Sequence, residues 1–229
     1  MIIAIQGYKG SGKDTVALYL KYILGTPWFM HNYKIAKLLN FKPIFNNWHI
    51  IRYADNIKKI LSIILNVPVK KFEDRDFKEN YYVNFNSYTI SKSKDNTISD
   101  EAFINNINNP NIMLDYNLSI RQILQFFGTE IMRKYFGDKI WVNSTLNIKY
   151  KNKIISDQRF IVENESLSKV KDDYLIIHID RPGYGPGLHS SESELTLLLE
   201  EKKYDIIIYN NQSLEYLFNV CKSIAYYNI

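Results

Sequence analysis

Apolar positions along this chain fall into two periods. Five short runs are rich in β-branched residues, at 2–5, 49–53, 154–157, 174–179 and 205–209. Runs of this length with little polar alternation read as strands buried on both faces of a parallel sheet. The stretches between them carry apolar residues three and four apart. Val16, Ala17, Leu20, Ile23 and Leu24 line one side of a helix that opens at Lys13 and stops at Gly25-Thr26-Pro27. Ile57, Ile60, Leu61 and Ile64 line a second, with Asp55 as its expected N-cap. Ser119 caps a third, running to about residue 135 with Ile123, Leu124, Phe127 and Ile131 inward. Further helices carry Trp141, begin near Glu163, and run over 214–226 behind a Ser213 cap. Strands alternating with helices predict an α/β fold with a doubly wound parallel sheet.

Three segments break this pattern. Residues 28–47 are mixed and aromatic, with room for a short helix over 33–41 and no chemistry to assign. Residues 80–117 are rich in Asn, Ser and Tyr, with weak alternation over 82–90. They predict an inserted lobe, a hairpin plus a loop. Residues 183–200 open with three glycines and a proline, so 181–200 is expected to be a lid-like connection rooted at Arg181. No long linker or internal repeat divides the chain, and a single domain over 1–229 is the expectation.

Composition narrows the function classes. The chain has 229 residues, 46% hydrophobic and 23% charged, with a net charge of +5 and a pI near 9.0. That excess suits an anionic partner without choosing between nucleic acid and mononucleotides. No apolar run is long enough to span a membrane, and the N-terminus lacks the pattern of a signal peptide. The single cysteine, Cys221, sits in a helical apolar pattern and reads as packing. A reducing, cytoplasmic setting follows as an expectation. His31, His49, His178 and His189 have no metal-ligand spacing.

The candidate chemistry starts where the first strand ends. Gly7 to Lys13 reads G-x-x-x-x-G-K between a strand and a helix. Glycines there let backbone N–H groups face a phosphate, the helix N-terminus adds partial positive charge, and Lys13 can reach the β- and γ-phosphates of a nucleotide. The usual hydroxyl residue after the lysine is Asp14, with Thr15 one place later, so either could face Mg²⁺ or its waters. Lys58 and Lys59 occupy a helical first turn, where the dipole disfavours cations unless an anion sits there. Arg75 is the one candidate ligand contact in the charged run 73–79. Arg121, Gln125, Thr129 and Arg133 recur every four residues as a polar stripe suited to a phosphorylated, hydrogen-bonding ligand. Gly128, costly in mid-helix, suggests close approach by a ligand or another backbone. Asp157 ends a strand where it could act on the metal shell, with Arg159 and Glu163 just beyond.

Taken together, GYKGSGKDT (7–15), YADNIKK (53–59), EDRDFKE (73–79), RQILQFFGTEIMRKYFGDKIWVN (121–143), ISDQRF with Glu163, and HSSE (189–192) before YDIIIYNNQSLEYL (204–217) resemble the phage-type deoxynucleoside monophosphate kinases. The usual A-D-P-L-K is here Ala54-Asp55-Asn56-Ile57-Lys58, and D-x-R-F keeps Asp157, Arg159 and Phe160 but continues with Ile161 and Val162. The resemblance implies a P-loop NTPase sheet of order 2-3-1-4-5 flanked by helices, with a substrate-side lobe and a lid. It implies ATP and Mg²⁺, a deoxynucleoside 5′-monophosphate acceptor, and a virus- or phage-like role in supplying precursors for DNA replication, in the host cytoplasm. Under it, residues Gly10, Ser11, Gly12, Lys13, Asp14 and Thr15, with Arg181, would bind ATP; Asp14, Thr15 and Asp157 would face the metal. Lys13, Arg133, Asp157 and Arg159 would serve transfer. Lys58, Arg75, Arg121, Gln125, Gly128, Thr129, Trp141 and Glu163 would serve the acceptor, Gln125 hydrogen-bonding its base and Trp141 packing near it. No membrane or stable nucleic-acid partner is expected, and oligomeric state stays open, a homodimer among the options. The competing readings are a kinase of another small phosphorylated metabolite, such as phosphomevalonate, and a nucleotide-dependent nucleic-acid-binding module.

Overall fold

The computed structural model describes residues 1–170, 173–187 and 190–229, with side chains in the last range from 192 onward. The described chain forms two compact units, one of residues 1–53 and 145–229, the other of residues 54–144 inserted between them. The lobe expected at 80–117 is therefore part of a larger insertion.

The first unit is built on five parallel strands: β1 (Ile2–Gln6), β2 (Trp48–Ile51), β3 (Asn152–Gln158), β4 (Tyr174–Asp180) and β5 (Ile206–Tyr209). From edge to edge they run β2, β3, β1, β4, β5. Ile3 lies between Ile154 and Leu175 in register, and Ile5 pairs with Ile177. All five residues of β1 are buried, as its unbroken apolar run requires of a central parallel strand. One face of the sheet, with Ile3, Ile5, Ile154, Ile177, Ile179 and Ile208, packs with the helices Lys13–Leu24 and Leu214–Asn228 in one core. Tyr33 and Phe41 close that core from the 28–47 segment. Phe41 lies 4.8 Å from the ring of Tyr19, and Tyr33 lies 5.8 Å from that of Phe218. The helix expected over 33–41 is Tyr33–Leu38, capped by the Asn32 side chain.

The second unit opens with the helix Asp55–Ile64. Its N-cap is Ala54, which already has helical backbone angles and provides no side-chain cap. Asp55 is therefore not the cap but a first-turn acid, 3.8 Å from the Lys58 ammonium. That position still suits a carboxylate, because the helix dipole is positive there. The expected hairpin pairs Tyr82–Asn84 with Thr89–Ser91, and Leu118–Ser119 adds a third antiparallel strand. Two helices in the same stretch, Asp100–Asn105 and Ile112–Asp115, are too short to leave a period in the sequence.

Ser119 accepts a hydrogen bond from the Gln122 N–H, and Gln122 Oε1 accepts one from the Ser119 N–H. This reciprocal capping box starts the helix Ile120–Gln125. From Phe126 to Arg133 the helix becomes a π-helix, then finishes as Lys134–Phe136. The wider turn rotates the inward face. Ile120, Gln122, Ile123, Phe126, Gly128 and Arg133 are buried, whereas Leu124, Phe127 and Ile131, expected inside, are half-buried. It has a second effect. A π turn holds more residues than an α turn, so positions four apart stay nearer one line than they would in a pure α-helix.

Residues 190–200, expected to continue the lid-like loop, form the helix Ser190–Glu200. His189 lies outside the described residues.

Candidate functional site

In the first unit, β1 ends at Gln6 and the glycine loop follows. Two of its glycines combine a left-handed backbone angle with a close side-chain neighbour. Gly10 has φ +84°, and a Cβ there would lie 2.4 Å from the Tyr184 ring. Gly12 has φ +105°, and its Cβ would lie 2.5 Å from Asn210 Nδ2. No L side chain fits either position without moving its neighbour. The backbone thus stays uncovered by a side chain at Gly10 and Gly12, at the start of the helix Lys13–Leu24, the arrangement that anions favour.

Lys13 is buried, and its ammonium donates to the carbonyls of Gly7 and Tyr8, both at 2.6 Å. Burial, reinforced by the nearby Arg159 charge, pushes its pKa down from 10.5 to about 7. Glu192, Asp14 and Asp157 pull the other way without cancelling the loss of water. The ligand-free loop therefore holds a cation short of counter-charge.

Around the loop lie oxygen donors. Asp14, exposed in the first helical turn, accepts from Arg52 at 3.1 Å and from the Ser156 hydroxyl at 3.3 Å. Thr15 is half-buried beside it in sequence. Asp157 accepts from the Tyr53 N–H at 2.9 Å, just past the end of β2. The β1–β3 register slips here: between the pairs Ala4–Ile155 and Gln6–Gln158, β1 has one residue, Ile5, and β3 has two, Ser156 and Asp157. Such a bulge bends the strand and re-aims its side chains, which is how Asp157 comes to face the edge of the neighbouring strand. Among the described residues no group of three or more His, Cys, Asp or Glu could hold a metal. Two carboxylates and a hydroxyl are nonetheless a hard donor set that suits Mg²⁺, which takes one or two carboxylates and completes its shell with phosphate oxygens and water.

Arg159 pairs with the buried Glu192. Glu163, also buried, accepts from the N–H groups of Arg159 and Phe160 at 2.8 and 3.0 Å, tying down the start of the helix Ile161–Leu167. Arg159 thus pairs through its guanidinium with Glu192 and meets Glu163 through its backbone. Arg181 donates to the Gly10 carbonyl at 3.0 Å and stacks over Tyr184, 4.6 Å from the ring centre.

In the second unit, Lys58 and Lys59 part ways. Lys58 is buried and paired with Glu73 at 2.8 Å, whereas Lys59 is exposed and bonds Asn56. Arg121 binds Glu79 through two nitrogens, at 2.8 and 2.6 Å. Arg75 is exposed and makes no ion pair among the described residues. Gln125 and Thr129 are half-buried, and Arg133 is buried on the π-helical stretch. Gly128 does meet a close neighbour, but a side chain: its Cβ would lie 2.9 Å from Ile57 Cδ1. Its carbonyl accepts from the buried Trp141 indole at 2.8 Å. The close neighbour at Gly128 within the chain is thus the Ile57 side chain rather than another backbone.

Residue-by-residue reading missed Glu192, Tyr184, Arg52 and Asn210. All four act through contacts with residues distant in sequence. The available signal was position: Asn210 directly follows β5, at the carboxyl end of a parallel strand, where ligands collect in open α/β sheets.

Comparison with known proteins adds two findings. The family model for deoxynucleotide monophosphate kinases matches residues 57–221, a span that begins after the glycine loop. A protein of Acanthamoeba polyphaga mimivirus, named for the deoxynucleotide monophosphate kinases, is 30% identical over 118 residues, 43% of this chain and 57% of the relative. The match thus spans little more than half of that relative's length.

Proposed function

Because the chain belongs to the deoxynucleotide monophosphate kinase family, we propose that it transfers the γ-phosphoryl group of ATP to a deoxynucleoside 5′-monophosphate, giving the diphosphate. The observation that carries this reading is the glycine loop with Lys13, a buried cation donating only to backbone carbonyls. We read the loop as a P-loop, and the five strands as the 2-3-1-4-5 arrangement of that class.

The acceptor phosphate is already ionised, so transfer needs positioning and charge neutralisation more than a base. Lys13 turns from the Gly7 and Tyr8 carbonyls to the β- and γ-phosphates and regains its full charge there. The N–H groups of residues 10–15 hold the same oxygens. Asp14, Thr15 and Asp157 would hold Mg²⁺, which when bound would supply neutralisation of the charge developing during transfer. Arg159, oriented by Glu192, faces the transferring group. Glu163 acts on the acceptor through the turn it braces. Arg181 and the following loop cover the donor and exclude water. Lys58, Arg75, Arg121 and Arg133 hold the acceptor phosphate, Gln125 and Thr129 hydrogen-bond the nucleoside, and Trp141 fixes the Gly128 turn on which they ride. The product supplies deoxynucleoside triphosphate synthesis, in a viral setting for a chain that resembles a mimivirus protein.

The test is ATP with each dNMP and NMP, and phosphomevalonate as a non-nucleotide control, with products separated by chromatography. Diphosphate formed from at least one dNMP is the expected result. ADP release only with a non-nucleotide acceptor, or no product at all, overturns the reading.

A further inference from the structure

The glycine loop is gripped from outside by a residue that its own motif does not contain. Asn210 Nδ2 donates to the Ser11 carbonyl at 2.8 Å, across 199 residues of sequence. Its own N–H donates to the Asp180 carbonyl at 2.7 Å, fastening it to the end of β4. The amide nitrogen fills the space that a Cβ on Gly12 would need. The backbone bond continues the sheet ladder, but the side-chain contacts with the loop go beyond what ending a strand requires.

Peptide geometry shows what the grip accomplishes. The peptide bond between Ser11 and Gly12 is trans, so its C=O and N–H point in opposite directions. Anchoring the Ser11 carbonyl on Asn210 turns the Gly12 N–H away from Asn210. That N–H has no acceptor among the described residues, and Gly12 is not fully buried. The Gly12 carbonyl is committed to the Val16 N–H at 3.0 Å, the first bond of the helix. The Gly12 N–H is thus the one polar group of that residue left open, and Asn210 fixes its direction.

We infer that Asn210 is a positioning residue for phosphate binding: it holds the Ser11–Gly12 peptide so that the Gly12 N–H is presented to the donor nucleotide's phosphates. The inference rests on the proposed reading of the loop as a donor site. Preorganisation of this kind spares the cost of turning a peptide at the moment of binding. Removing one backbone-orienting hydrogen bond should weaken binding by roughly threefold to tenfold, the range spanned by a typical net hydrogen bond.

The test compares the parent with Asn210→Leu, close to asparagine in shape but without a donor, and Asn210→Gln, which keeps one. MgADP affinity is measured by calorimetry, and KM for ATP, KM for the dNMP and kcat by coupled assay. Uniform ¹⁵N-glycine labelling gives a spectrum of only nine glycine amides, in which the Gly12 signal reports its hydrogen bonding directly. The expected result is weaker MgADP binding and a higher KM for ATP in Asn210→Leu, an unchanged KM for the dNMP, a displaced Gly12 signal, and partial recovery in Asn210→Gln. Parent-like MgADP affinity with a parent-like Gly12 signal in Asn210→Leu overturns the inference while leaving the donor site standing. If the parent itself binds no MgADP, the loop reading and this inference fall together. Should Asn210→Leu not fold, Asn210→Ala, which also lacks a donor, takes its place under the same criteria.

Discussion

Lys13 makes a quantitative prediction about protons. In the ligand-free protein its pKa is lowered to about 7, chiefly by burial. A bound polyphosphate supplies the missing negative charge and raises that pKa, as any opposite charge within a few ångströms does. A group whose pKa rises on binding takes up a proton wherever the free form is deprotonated. Binding is therefore favoured at low pH and weakens as pH climbs through 7. Taking the bound pKa as well above 8, the ammonium is about 90% formed in the free protein at pH 6 and about 10% at pH 8. Proton uptake should rise from about 0.1 per MgADP at pH 6 to about 0.9 at pH 8, and affinity should fall by roughly tenfold over that interval. Calorimetry in buffers of different ionisation enthalpy counts these protons, with Lys13→Arg as the control that stays charged throughout. Equal proton uptake in parent and Lys13→Arg at pH 8 would refute the claim that the empty pocket strips this lysine of charge. The same linkage acts on folding. A lysine lowered from 10.5 in the unfolded chain destabilises the empty protein below pH 7, and the penalty fades as pH rises from 7 to 10.5. Lys13→Met should therefore raise the melting temperature of the ligand-free protein at pH 6 while reducing turnover by orders of magnitude.

Other perturbations separate the two units. Arg133→Ala should lower kcat by about a hundredfold to a thousandfold, the scale of losing a charge-stabilising donor, with MgADP affinity within about twofold of the parent; unchanged kcat and KM for both substrates would remove Arg133 from the site. Glu192→Gln leaves the Arg159 guanidinium without its buried anion. It should lower kcat more than it raises either KM, as steady-state kinetics would show. Trp141→Phe deprives the Gly128 carbonyl of its indole donor and should cost about 1–3 kcal/mol in urea unfolding, the penalty for an orphaned buried acceptor. MgADP binding should be untouched, and an altered MgADP affinity would mean that Trp141 does more than brace its helix.

What the sequence disclosed depended on the range of the force concerned. The central strands were legible because burial on both faces leaves a long apolar run, as in β1, and the half-buried edge strands because they keep Ile50-Ile51 and Ile206–Ile208. Ser119 and Ser213 were legible as caps because their partners lie three residues on, at Gln122 and Tyr216. Asp55 failed for a related reason. A capping residue is recognised by type, but the cap is a matter of backbone angle, and Ala54 had already turned helical. The π-helical stretch left no trace, since one more residue per turn changes hydrogen-bond partners without changing composition. Glu192 and Asn210 stood inside recognised motifs, but their contacts were not legible there. Their partners, Arg159 and Ser11, lie 33 and 199 residues away.

The cations found by sequence differ sharply in what holds them. Lys58, Arg121 and Arg159 each sit against a carboxylate, from Glu73, Glu79 and Glu192 respectively. Lys13 has no carboxylate within ion-pair distance among the described residues, only two carbonyls. A phosphate reaching any of the first three must compete with an existing anion, so its gain is a difference between two attractions. A phosphate reaching Lys13 meets a charge that burial has already made unfavourable, and relieves it. That asymmetry is why, of all the basic side chains here, truncating Lys13 should cost the most affinity for a polyanion. It also sets the direction of salt dependence. Binding that exchanges one ion pair for another loses little net charge pairing, whereas Lys13 is a buried charge that mobile ions screen weakly. Raising ionic strength should therefore weaken dNMP binding at the exposed Arg75 more than it weakens MgADP binding at the loop. A steeper salt slope for MgADP than for the dNMP would show that the loop attracts its ligand through surface charge after all.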